Sequence, residues 1–170
     1  FRWQSTTASP MVYLEQFQSD LAFCGMDVTI SQLPVTEFFA MSADGPLFGR
    51  NFDLASFAWM TEFDPPPCQR YMSTEIPSAA NNWSGLNLAG FIDTTFDSAC
   101  AQAQNALPGS AEFIAGHQAA QRRFAEQLPA LPLFLRLQIS VVRPEVSLYA
   151  LESITSASLW NIESLRLEHP

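Results

Sequence analysis

Residues 51–67 read Asn-Phe-Asp-Leu-Ala-Ser-Phe-Ala-Trp-Met-Thr-Glu-Phe-Asp-Pro-Pro-Pro. The first half, 52–59, mixes aromatic and aliphatic residues over the length of one strand, which is how a strand covered on both faces reads. The second half stops abruptly. Glu62 and Asp64 flank Phe63, and three prolines follow that cannot donate to a sheet. A buried strand thus carries an aromatic, Trp59, and a carboxylate, Glu62, to its own carboxyl end. In open α/β sheets that end is where ligands bind. The plainer alternative is a core strand followed by a solvated turn, since acids are common in turns.

Upstream, residues 2–7 read as a short strand. Ser9 offers a capping hydroxyl and Pro10 a first-turn proline. Leu14, Phe17, Leu21 and Cys24 then recur at three- and four-residue steps, so one helical face is buried, and Gly25 ends the helix. Residues 27–33 form a strand by alternation and β-branched content. The whole fits a βαβ crossover. Residues 34–41 hold a short helix opened by Pro34, and 42–50 a loop with Asp44-Gly45-Pro46 and Gly49.

Downstream of the prolines, 69–76 has room for one or two helical turns. Residues 78–88 are polar and turn-rich, with an exposed Trp83. Asn82-Trp83-Ser84 matches a glycosylation acceptor, but such triplets arise often by chance. Thr94 and Asp97 form a capping-box-like pair for a helix with Phe96, Cys100, Ala103 and Leu107 on one face. Pro108-Gly109 breaks it. Ser110 caps the next helix, in which Phe113, His117, Ala120, Phe124 and Leu128 share a face and Arg122-Arg123 form a solvated edge. Residues 131–142 are a strongly apolar strand candidate, and 146–151 and 159–167 weaker ones. Strands and helices alternate, so the class is α/β.

The 170 residues are 48% hydrophobic and 15% charged, enough for one folded domain with its own core. The net charge is −9 and all eight basic residues are Arg, without a basic cluster, which argues against nucleic acid as a partner. A cationic or amine-bearing ligand suits this balance better. No apolar run approaches the roughly 20 residues of a membrane span. The chain begins Phe-Arg-Trp-Gln, without a start methionine or secretory leader, which suits a mature protein or a piece of a longer one. Of the three cysteines, Cys24 reads as a small buried hydrophobe. Cys68 and Cys100 are the pair to join in an oxidising compartment; the alternative is three reduced, buried thiols.

Catalytic patterns are missing. There is no Gly-x-Ser-x-Gly, no His-Glu-x-x-His, no Gly-rich phosphate loop and no Lys for a Schiff base. Of the two histidines, His117 sits on a helix face as a core or boundary residue and His169 is next to last. Glu62 and Asp64 are the carboxylate pair a small hydrolase would use, but no second motif supports the pair. Recognition remains, with no cofactor called for. A carboxylate beside an aromatic suits an ammonium group, through charge-assisted hydrogen bonds and a cation–π attraction of about 0.5–2 kcal/mol.

At this point the residues resemble a known family. The chain is similar to the carboxyl-terminal part of family 5 extracellular solute-binding proteins, the peptide-binding components of ABC importers. Five stretches carry the likeness, in the family's order. Residues 18–33 look like its helix ending in Gly and leading into a strand. Residues 51–65 look like its Phe-Asp-Leu strand with a Trp-x-x-Asp-aromatic turn. Asn82-Trp83-Ser84-Gly85 with Phe91 and Phe96 resembles its Ser-Gly-Tyr segment and helix. Residues 122–133 look like its late helix and exit, and Leu159-Trp160-Asn161-Ile162-Glu163 resembles its terminal Trp-Asn-Ile-Glu.

The resemblance implies a type II periplasmic-binding lobe, a mixed sheet flanked by helices, belonging to a longer two-lobed chain outside the cytoplasm. Residues 1–139 would be the second lobe and 140–170 a return segment toward the missing first lobe. It implies binding and hinge closure rather than catalysis, a peptide or small amine-bearing solute as ligand, and an ABC transporter permease as partner. Trp59 and Glu62 match the positions that hold the ligand's α-ammonium, with Glu where the family has Asp. Asn82, Trp83 and Ser84 add contacts from the neighbouring loop. One fold serves many solutes, so a sugar, a nickel chelate or an opine is the rival ligand.

Overall fold

The structure is a computed structural model and describes residues 1–58, 68–134, 140–150 and 161–167. The chain divides into two compact units, the first built from residues up to 58 and from 68 to 131, the second from the described residues beyond 131.

In the first unit, β1 (Arg2–Thr6) lies between β2 (Thr29–Leu33) and β3 (Leu54–Ser56), in the order β2-β1-β3. Both pairings are parallel: Trp3 stands opposite Ile30 on one side and Leu54 on the other. The expected crossover is present, with α1 (Met11–Phe23) joining β1 to β2. The stretch 52–59 yields a three-residue strand at one edge among the described residues, and the central strand is β1 instead. Covering of both faces holds. Leu54 packs with Trp3, Leu14 and Val28, while Ala55 and Phe57 pack on Phe38, Leu47 and Phe48.

Two details of α1 differ from expectation. Ser9 does not cap the helix; its hydroxyl lies 3.4 Å from that of Thr6. Leu14 is fully buried and Phe17 and Leu21 pack beside it, but Cys24 is an exposed free thiol. The helix ends one residue before Cys24, so the helical spacing no longer governs where its side chain points. Gly25 takes φ +76, the left-handed exit that glycine adopts without strain.

Short helix α2 (Val35–Phe38) follows β2 and buries Phe38. Two 3-10 turns, Cys68–Tyr71 and Ser73–Glu75, then lead into a coiled loop and the helices α3 (Thr94–Asn105) and α4 (Ala111–Gln127) of the first unit. These helices make their own core from Phe96, Ala99, Cys100 and Ala120, with Cys68, Tyr71, Met72, Phe91 and Phe124 packed against it. Tyr71 meets the Phe124 ring edge-on at 4.7 Å, and burial pushes its phenol above the usual range. Leu107, expected in this core, lies beyond the end of α3 and is exposed.

The capping residue of α3 is Asp93, not Thr94: its Oδ1 accepts the Phe96 N–H at 2.8 Å. Asp97 is used elsewhere, accepting from the backbone N–H and hydroxyl of Ser73. Arg123, expected at a solvated edge, pairs with Asp93 Oδ2 at 2.6 Å and with Glu126. Ser110 caps α4 as its position predicts, accepting from the Phe113 N–H.

In the second unit, β4 (Val146–Ser147) pairs antiparallel with β5 (Arg166–Leu167). Asn161 is buried and donates to Leu148 O at 3.0 Å. Residues 131–134 and 140–142 are not strand, and the middle of that apolar run lies outside the described residues.

Two outcomes follow from the helix pair. A Cβ on Gly116 would stand 2.7 Å from Ala103 N and 2.9 Å from its Cβ, so Gly116→Ala should cost about 1–3 kcal/mol in a urea titration by forcing α3 and α4 apart. Arg123 first, and the Phe96 N–H second, hold the Asp93 carboxyl below its ordinary range. A depressed carboxylate stabilises the fold above the unfolded pKa and loses that contribution as pH falls through the folded one. The urea midpoint should therefore drop below about pH 4, and Asp93→Asn should make that drop shallower.

Candidate functional site

The parallel sheet fixes where a site can form. β1 connects through α1 to β2 on one side, and β3 flanks it on the other, so the two later strands lie on opposite sides of β1. Crevices at such carboxyl edges are where open α/β sheets hold ligands. Here Ser5, Thr6 and Ser56 end their strands, and the chain runs on from β3 through Phe57 and Ala58. Trp59 and Glu62, and Asp64 with them, lie outside the described residues.

The edge itself is tightly bonded. Trp3 Nε1 donates to Ser56 Oγ at 3.0 Å, Ser56 Oγ donates to Ser5 Oγ at 3.0 Å, and Ser5 Oγ donates to Ser56 O at 3.2 Å. Gln32 Nε2 donates to the carbonyls of Thr6 and Ser9, closing the turn after β1. Phe38, Phe39 and Phe57 form an aromatic trio with ring centres 5.0 to 6.2 Å apart. Sequence reasoning passed over Ser5, Gln32, Phe39 and Phe57. The adjacent Phe38-Phe39 just after a strand was the available signal.

Asn82, Trp83 and Ser84 do stand together on one turn. Asn82 and Trp83 both take left-handed backbone, with φ 52 and 59. Asn tolerates this region, but a bulky aromatic there is an outlier that its surroundings must hold. The Trp83 N–H donates to Ser78 O at 2.9 Å, Ser84 Oγ donates to Asn81 O at 2.5 Å, and the Ser78 N–H donates to Asn81 Oδ1 at 2.9 Å. Asn82 is exposed. Trp83, expected to be exposed, is half-buried.

The base of this loop allows little freedom. A Cβ on Gly85 would fall 2.1 Å from Glu75 O, so only glycine fits. Arg50, itself at φ 54, donates from Nη1 to Pro77 O at 3.0 Å and ties the loop to the sheet side of the unit. Leu88 packs with Phe38, Leu47 and Phe48. The segment that follows the proline run is anchored too: Cys68 is bonded to Cys100 of α3, and Gln104 Nε2 donates to Gln69 Oε1 at 2.6 Å. Among the described residues no cluster of His, Cys, Asp or Glu is arranged to hold a metal ion. No described helix is long and apolar enough to cross a membrane.

The disulfide closes a 32-residue separation, for which loop entropy predicts about 3–4 kcal/mol. Replacing both Cys68 and Cys100 with Ser should lower stability to guanidinium by that order, and a phosphine reductant should do the same to the unaltered chain but not to the variant.

No family model matches the chain. It is 29% identical over 157 residues to the probable ABC transporter periplasmic-binding protein SapA of Escherichia coli (strain K12), covering 92% of this chain and 27% of that protein. It is 28% identical over 148 residues to Di/tripeptide-binding protein 2 of Pseudomonas aeruginosa (strain UCBPP-PA14), covering 87% and 26%. Its fold matches the oligopeptide binding protein from Thermus thermophilus, crystallised with a pentapeptide, at a TM-score of 0.65 and 24% identity over 79% of this chain and 24% of that one. Sequence and shape thus converge: over most of its own length and about a quarter of theirs, the chain is similar to periplasmic and peptide-binding proteins, the kind its motifs resemble.

Proposed function

We propose that this chain is the ligand-binding second lobe of an extracytoplasmic solute-binding protein that captures peptides and passes them to an ABC transporter. Residues 1–139 form the lobe and 140–170 the segment returning to a first lobe. The action is capture by closure of two lobes on a hinge, without bond chemistry. The likeness to a di/tripeptide-binding protein and to a peptide-bound structure supports the ligand class. A disulfide suits an oxidising compartment.

The observation that carries the reading is the register of β3. Ser56 pairs with Ser5 at the carboxyl end of a parallel sheet, and in sequence Trp59 follows three residues on and Glu62 three further. In this reading Glu62 takes the ligand's ammonium and Trp59 packs on its backbone or first side chain. Asn82, Trp83 and Ser84 reach the ligand from the neighbouring loop. The net charge of −9 favours approach of a cationic end.

Glu62→Gln removes the charge and keeps the shape. In the two-lobed protein it should weaken binding of an unblocked tripeptide by about ten- to a hundredfold, the worth of a charge-assisted hydrogen bond. Unchanged affinity, measured by calorimetry, would reject the amine pairing and favour a sugar, nickel chelate or opine. The 170-residue chain by itself holds half of the cleft and should bind the same tripeptide weakly or not at all; micromolar binding would contradict the two-lobed reading.

A further inference from the structure

Asn87 is fully buried, polar and bonded on every side. Its carboxamide oxygen accepts the Phe91 N–H at 3.0 Å. Its Nδ2 shares two hydrogens among three carbonyl oxygens, those of Phe91 at 2.7 Å, Met72 at 2.9 Å and Tyr71 at 3.1 Å. Its backbone N–H donates to Glu75 O at 2.8 Å, and its carbonyl accepts from Gly90 N–H at 3.1 Å.

Resting on the reading that Asn82, Trp83 and Ser84 touch the ligand, we propose that Asn87 is the positioning residue of that loop. The loop's own bonds, from Trp83 to Ser78, Ser84 to Asn81 and Ser78 to Asn81, set its shape and not its place. Its place depends on the chain entering it at 71–77 and leaving it at 85–91. The Asn87 side chain bonds both: Tyr71 and Met72 on the way in, Phe91 on the way out. The entering side is in turn held to α3 by the Cys68–Cys100 bond and by Ser73 on Asp97. Neither side has a strand ladder at this point, so one amide stands in for the backbone partners that a ladder would supply. Removing it takes these partners from the Phe91 N–H and from the carbonyls of Tyr71 and Phe91, while Met72 O keeps the Glu75 N–H at 3.0 Å.

Hydrogen exchange on the full chain tests this, with the Trp83 and Phe91 amides as local reporters and the amides of α3 and α4 as distant ones. Asn87→Leu should raise local exchange by roughly tenfold or more and leave α3 and α4 unchanged. Asn87→Asp keeps the size and the acceptor but turns a carboxylate toward three carbonyls. It should lose local protection at neutral pH and regain part of it as pH falls, because the protonated carboxyl donates one of the lost bonds. A general structural role would give no such recovery. Unchanged local protection in both variants, or loss spread evenly through α3 and α4, would overturn the proposal. Trialanine affinity of the two-lobed protein separates it from the ligand reading. Gly116→Ala, destabilised away from the loop, should keep its affinity, whereas Asn87→Asp should lose roughly tenfold. If local exchange rises and affinity stays, the loop is positioned by Asn87 but does not touch the ligand.

Discussion

Parallel pairing of β1 on both of its edges is the constraint behind the rest of the first unit. A parallel strand cannot be joined to its neighbour by a tight turn, so α1 must cross over between β1 and β2. A parallel sheet also has to be covered on both faces. Trp3, Leu14 and Val28 close one face, and Phe38, Leu47 and Phe48 the other. With both faces covered, the chain leaves β3 at the strands' carboxyl edge, the edge at which open α/β sheets hold ligands.

The region from 68 to 92 solves a different problem. It has only short 3-10 turns, so its backbone groups lack a ladder. Side chains supply the partners: Asn87 on Tyr71, Met72 and Phe91, Asn81 on Ile76, Asp97 on Ser73, Arg50 on Pro77. Two left-handed residues in succession, Asn82 and Trp83, persist because that frame and the close approach of Gly85 to Glu75 leave the turn no alternative. An irregular loop held on a rigid support is the usual place for recognition.

The helix pair is the support. Gly116 lets α4 lie against Ala103, the disulfide joins the 3-10 turn to α3, and Arg123 of α4 clasps the cap of α3. In an acidic protein with eight basic residues, all of them arginine, Arg123 holds two helices together.

Much of this was open to inspection in the residues alone, wherever the cause is local. Pattern and punctuation place β1, α1, β2, α3 and α4, because hydrophobic period, Gly25, Pro108 and the Ser110 cap act within a few residues. The α/β class was legible for the same reason, as were motifs that resemble peptide-binding proteins, whereas the Cys68–Cys100 bond joins residues 32 apart and was one of two alternatives until the fold brought them together. What sequence could not say is which strand is central, since 52–59 is the more apolar stretch and yet β1 sits in the middle. Nor could it say that Asp93 caps where Thr94 stood ready, that Arg123 turns inward, that Cys24 faces solvent, or that Asn87 is a hub. The folded chain settles each of these: Arg123 and Asn87 by partners distant in sequence, brought within the roughly 3 Å at which hydrogen bonds and ion pairs act, and Asp93 and Cys24 by where the helices begin and end.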